Sequence, residues 1–173
     1  MFDKEYAFRG KHSKMVQDLT KKFDIKNNQF FQRNYDVYLL APIIGFLYQR
    51  KAEIDNDTTI NPTKIFGDIL IKNSDDLMFT YRLIMLLDKQ YEPSSEIRIE
   101  KAFRGIKNEE DEALYESYVR GGVEVLYEKL MDGVTSPDDY VNRLYDFLEE
   151  FDERYNQNID MEKVLENCRK IKA

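Results

Sequence analysis

Apolar residues recur along this chain at intervals of three and four, and almost nowhere in alternation, so the pattern predicts helices nearly end to end. Phe8, His12, Met15, Val16, Leu19 and Phe23 form one stripe, with Arg9, Lys11, Lys14, Lys21 and Lys22 on other faces. That predicts an amphipathic first helix between Phe8 and Phe23. A polar and aromatic connector, DIKNNQFFQRN, leads to YDVYLLAPIIGFLYQRK, apolar on all sides and therefore expected to be a central buried helix that Pro42 kinks or restarts.

DNDTTINPTKIF reads as a loop in which Asn61 and Pro62 serve as N-cap and first residue of a short helix reaching Ile69. Asn73 or Ser74 caps the next helix, with Leu77, Tyr81, Ile84 and Leu87 as its stripe, and QYEPSS ends it. A further helix is expected from about Glu96 to Arg104, stopped by Gly105. A long one starts at Asn108 and ends near Gly133. TSPDDY is the clearest start signal, with Ser136 as N-cap, Pro137 at the first helical position, and Asp138 and Asp139 suited to the helix dipole.

Val141, Leu144, Leu148, Phe151 and Tyr155 then follow at spacings of three and four, a seam suited to a bundle contact or to self-association. A last helix, about Asp160 to Ile171, offers Met161, Leu165 and Cys168 to the same neighbour. The fold class expected is all-α: a compact multi-helix single domain, with a main body over residues 1–135 and a C-terminal helical hairpin, 136–173, packed on it. Extended pieces at EYAF and DILI are the only strand-like features, and there is no internal repeat.

With 173 residues, 42% hydrophobic and 13% aromatic, the chain can bury a core without staples. Its single cysteine, Cys168, excludes an internal disulfide and a cysteine-based metal cluster. The N-terminal stretch has no apolar signal region, and the longest nearly uncharged run, Val37 to Gln49, is shorter than the about 20 residues of a membrane span. A cytoplasmic protein is expected, with no membrane partner. The net charge of −7 is unevenly spread: nine Lys or Arg face five acids in residues 1–50, and six face thirteen in residues 101–150. An acidic total argues against a broadly basic nucleic-acid binder and leaves room for a local basic patch.

Most familiar chemistry is absent from the sequence. There is no G-x-G-x-x-G, no phosphate loop and no G-x-S-x-G elbow. One histidine cannot make a two-histidine zinc motif, and His12, on an apolar stripe, reads as a hydrogen-bonded packing residue. Asp55 and Asp57 are spaced as in a calcium loop, but Ile60 stands at the turn glycine and Phe66 at the bidentate acid. The acids Glu109, Glu110, Asp111 and Glu112, like Asp75 and Asp76, are what a helix start favours. Cys168 reads as a small core residue. No cofactor, metal or catalytic residue is expected. The most suggestive polar stretch is KKFDIKNNQFFQRNY, where Phe30, Phe31 and Tyr35 beside Lys26 and Arg33 could stack on bases or receive a peptide.

Gly121 and Gly122 fall inside the long helix, on its apolar side, at a cost of roughly 1 kcal/mol each relative to alanine. Two readings compete: a close helix crossing that admits the backbone or a bulky aromatic of the Gly45 helix, or a broken helix whose freed N–H groups bind an anion near Arg120. The crossing, built on Gly45, Gly121 and Gly122, is the more economical.

Three stretches in this order, RNYDVYLLAPIIGFLYQRK, TKIFGDILIKNSDDLMFTYRLIMLLD and YVRGGVEVLYEKL, resemble a small accessory family encoded beside DNA phosphorothioation (sulfur modification) systems, the dnd system-associated proteins. That pattern has an apolar helix ending in Gly-Phe and a late Tyr-x-x-Gly-Gly segment, here Gly45, Phe46, Tyr118, Gly121 and Gly122. It spans about residues 30 to 130 and carries no catalytic residues; the longer C-terminal hairpin departs from it. The resemblance implies a bacterial, non-enzymatic role in DNA modification or phage defence, through contact with the modifying complex or with DNA.

The function expected is therefore that of a non-catalytic adaptor acting through a protein partner, with an acidic C-terminal half suited to basic surfaces. The alternative is a DNA-binding accessory using Lys11, Lys14, Lys21, Lys22, Lys26 and Arg33 as phosphate contacts. Self-association through the 141–155 seam is a further expectation.

Overall fold

The computed structural model describes residues 2–104 and 108–155. The predicted stop at Gly105, the predicted helix 160–171 and Cys168 lie outside the described residues. The chain divides into two compact units, Met1–Gly133 and Val134–Ala173.

In the first unit, β1 (Tyr6–Phe8) precedes α1 (Gly10–Thr20) and α2 (Asn34–Leu47). These are followed by β2 (Thr63–Ile65), α3 (Gly67–Lys72), α4 (Ser74–Leu87), α5 (Ser95–Phe103) and α6 (Glu109–Leu130). The expected helical architecture is present, with one two-stranded antiparallel ribbon pairing Tyr6 with Ile65 and Phe8 with Thr63.

That ribbon corrects the reading of Asn61 and Pro62 as a helix start. The Asn61 carbonyl accepts from the Ser13 hydroxyl at 2.7 Å, and that hydroxyl also pairs with Thr63 Oγ1 at 2.8 Å. The segment is thus held extended beside α1, and pairing with the distant β1 overrides the local cap signal. The helix begins instead at Gly67, so DILI is helical, while EYAF does supply a strand. On the same grounds α1 is shorter than its stripe: Phe8 belongs to β1, and Phe23 follows the helix end at Thr20.

The buried centre is the α2–α6 pair. α2 runs unbroken through Pro42, so it does not restart there. It closes with Gln49 in the left-handed region (φ 53°), with the Gln49 N–H on the Phe46 carbonyl and the Arg50 N–H on the Gly45 carbonyl at 2.8 Å. Around this pair, Tyr115 gathers edge contacts from the rings of Phe2 and Tyr38 and a tilted one from Tyr81, with centroids 5.8, 6.5 and 5.8 Å away. The Tyr115 hydroxyl pairs with Thr80 Oγ1 at 2.9 Å. In α4 the buried face is Leu77, Tyr81, Ile84 and Met85; Leu87, expected inside, is exposed because the helix stops there and Asp88 turns inward instead.

In the second unit α7 (Pro137–Tyr155) starts where TSPDDY predicts. The Asp139 carboxylate reaches back to the Thr135 and Ser136 N–H groups at 2.9 and 2.8 Å. Its one buried residue is Phe147, whose ring meets Phe151 at 6.2 Å, and Phe151 meets Tyr155 at 4.6 Å. Of the predicted seam, Val141, Leu144 and Leu148 are exposed, together with Tyr145. No described helix is long and apolar enough to cross a membrane.

Candidate functional site

α6 stays helical through both glycines, which removes the broken-helix alternative. A methyl group on Gly122 would strike the Ala41 carbonyl, one on Gly45 the Tyr118 carbonyl, and one on Gly121 the Arg50 carbonyl. The first two contacts bring the α2 and α6 backbones together. The third seats the chain leaving α2 on α6, where Ala52 N–H donates to the Ser117 carbonyl at 3.0 Å and Arg120 Nε to the Ala52 carbonyl at 2.9 Å.

The close approach brings charged groups to the α1–α2–α6 junction. Glu124, only 8% exposed at its side chain, accepts from Lys11 Nζ at 2.8 Å, His12 Nε2 at 3.1 Å and Arg50 Nε at 3.3 Å. A second Arg50 nitrogen reaches Glu128 at 2.9 Å. Burial lowers the His12 pKa, and the opposing pull of Glu124 does not make up for it. The imidazole is neutral at neutral pH. Burial would raise the Glu124 pKa, but hydrogen bonds from Lys11 and His12 outweigh it and hold the carboxyl below its usual range.

Beside this cluster lies a cavity of about 320 Å³ whose polar lining includes Tyr6, Arg9, His12, Asp55, Glu116 and Arg120. Asp55 is already committed to the Lys11 N–H at 2.7 Å and the Asp57 N–H at 3.0 Å. Neither Ser, Thr nor Cys lines the cavity, and its one hydroxyl, on Tyr6, is pushed towards the neutral phenol by burial. The neighbouring Ser13 hydroxyl is bonded to Asn61 and Thr63. Arg120 holds the Ala52 carbonyl, and burial raises the Glu116 pKa despite that arginine. The arrangement has the character of an internal electrostatic clamp.

Two further acids act in the same way. Asp88 accepts from the Tyr118 hydroxyl at 2.7 Å and from the Gln90 and Tyr91 N–H groups. Asp111 accepts from the Tyr91 hydroxyl and from Lys101 Nζ, both at 2.6 Å. Of the acidic run 109–112, Asp111 is therefore part of the fold, while Glu109 and Glu110 are exposed. Asp75 and Asp76 are also exposed. Among the described residues no group of three or more His, Cys, Asp or Glu is placed to hold a metal ion.

The six predicted phosphate contacts do not act alike. Lys11 points to Glu124, Lys21 pairs with Asp18 at 3.0 Å, and Arg33 pairs with Asp36 at 2.7 Å. Lys14, Lys22 and Lys26 are exposed. Sequence reasoning missed Glu124, Asp88, Arg50 and the exposed Ile25. Glu124 carried a usable signal, since an acid three residues after Gly121 intrudes on the apolar side of its helix.

No curated protein and no solved structure matches the chain significantly. The sequence pattern of the family described as DNA sulphur modification system-associated protein 4 matches residues 9–166, nearly the whole chain and both sides of the glycine crossing; the chain belongs to that family.

Proposed function

We propose that the protein is a non-catalytic accessory of a bacterial DNA sulphur modification system that works by docking onto a protein partner in the cytoplasm. The observation that carries this reading is the exposed face of α7. Val141, Leu144, Tyr145 and Leu148 fall within one side of the helix and are left in water. Beside the ring face of Phe147, Phe151 and Tyr155, α7 carries seven acids and two arginines. An apolar stripe rimmed by carboxylates fits an apolar groove edged by Lys and Arg on another protein. A second copy of the same helix fits less well, because pairing would set acid against acid.

The test is native mass spectrometry of the purified protein mixed with each purified component of the same modification system. A one-to-one complex lost on Leu144→Glu with Leu148→Glu supports the reading. Binding indifferent to that double variant, or self-association through the same face, overturns it.

A further inference from the structure

Between α1 and α2 the chain makes a tight turn over residues 24–28. Its base is closed by the Phe23 N–H on the Asn28 carbonyl at 2.9 Å, and inside it the Asn27 N–H meets the Asp24 carbonyl at 3.1 Å. The Asp24 carboxylate accepts the Asn28 N–H at 2.9 Å and the Asn28 side-chain amide at 2.6 Å. Asn27 sits in the left-handed region at φ 64°. Beneath the turn the Phe23 and Phe30 rings pack with centroids 5.2 Å apart. The turn is therefore built from both backbone and side-chain bonds over an aromatic base.

This built turn holds Ile25 out into solvent, 99% exposed. Lys22 and Lys26, also exposed, stand on either side of it in the chain. Asp24, the one acid of the turn, is occupied by the turn's own N–H groups. One isoleucine is far too small to anchor a protein interface, which buries roughly 800 Å² on each partner. It is the size of the apolar wedges that proteins insert between stacked base pairs, where neighbouring cations hold the phosphates.

We infer that the 21–33 loop engages duplex DNA, with Ile25 entering between two base pairs and Lys22 and Lys26 on the flanking phosphates. The site lies in the first unit and does not involve α7, so it goes beyond the docking function and can fail without it.

The test uses the full chain and fluorescein-labelled duplexes carrying 2-aminopurine at a flexible pyrimidine–purine step, titrated from low to physiological salt. Wild-type protein binds with a salt-dependent affinity and raises 2-aminopurine fluorescence, which reports unstacking. Ile25→Ala abolishes that rise and weakens binding about tenfold. Lys22→Glu with Lys26→Glu flattens the plot of log affinity against log salt by about two units. Ile25 is solvent-exposed, so Ile25→Ala should leave the melting temperature unchanged, and that is checked in parallel. Absence of duplex binding at low salt, or binding and fluorescence indifferent to these variants, overturns the inference. Ile25-dependent sedimentation with phosphatidylglycerol vesicles in the absence of duplex binding does so too, and assigns the turn to a membrane surface.

Discussion

Glu124 of α6 and His12 of α1, 112 positions apart, meet with Oε1 3.1 Å from Nε2. The same oxygen takes the Lys11 ammonium at 2.8 Å. Burial depresses the His12 pKa below 6.5, so its neutral form stabilises the fold above that value, and the contribution is lost as pH falls below it. The net depression of the Glu124 pKa gives a contribution present above its unfolded value of 4.5 and lost as pH falls through the folded value. Both losses go with acid. Melting temperature should therefore drop as pH falls below about 6.5 and drop further as it falls below about 4.5. Glu124→Gln should remove the lower part of that drop and enlarge the part due to His12, whose pKa the carboxylate partly holds up.

At neutral pH Glu124→Ala should destabilise by about 2–3 kcal/mol. That is below the figure for a fully buried pair, because Lys11 and Arg50 are 55% and 48% exposed at their side chains. Urea unfolding measures it.

Gly122→Ala places a methyl group on the Ala41 carbonyl, and neither backbone can step aside by changing rotamer. The cost should be about 3 kcal/mol, at the upper end for overpacking. Gly45→Ala should cost about as much. Because both substitutions push the same two helices apart, the double variant should lose less than the sum, a coupling that a thermal-melt double-mutant cycle reads directly.

Asp88 is the shared acceptor beneath the α4–α6 contact. Tyr118→Phe removes one bond to it and should cost about 1 kcal/mol. Asp88→Ala strands the Tyr118 hydroxyl and two backbone N–H groups, and should cost about 3 kcal/mol. The Tyr118 hydroxyl pKa is raised, by burial first and by the Asp88 carboxylate next. Titration of the tyrosine absorbance in alkali should therefore show one phenol moving towards its ordinary pKa in Asp88→Ala.

The Asp139 carboxyl is held down to about 2 by the Thr135 and Ser136 N–H groups. Its capping contribution is present above the ordinary value of 3.8 and disappears as pH falls towards 2. Carboxyl NMR titration should find it among the most acidic groups. Asp139→Asn should loosen the first turn of α7 at neutral pH, seen as faster amide exchange at Thr135 and Ser136.

Helical periodicity made most of this architecture legible, because helix faces are written in local spacing. Pro137 and Asn108 marked helix starts that depend only on nearby residues, and the glycine pair told of a close approach because nothing local would justify its cost. Thr63–Ile65 was illegible for the opposite reason: its strand exists through pairing with Tyr6–Phe8, far away in the chain. The six basic residues, four on the first helix and two in the connector, looked equivalent in the sequence. Their division into engaged and exposed groups depends on Glu124, Asp18 and Asp36, and a wheel does not show where the Glu124 carboxylate lands. Ile25 gave no warning either, since one isoleucine between charged residues in a connector looks the same whether it folds in or projects.

The contact at Gly45 and Gly122 sets peptide groups directly against each other, with no side chains between them. Layers of side chains let helices slide by swapping rotamers, whereas touching backbones resist both sliding and rolling. The α2–α6 pair thus behaves as one rigid strut. Glu124 stands two residues from Gly122, so the Lys11, His12 and Arg50 contacts fasten α1 and the chain leaving α2 to the stiffest stretch of α6.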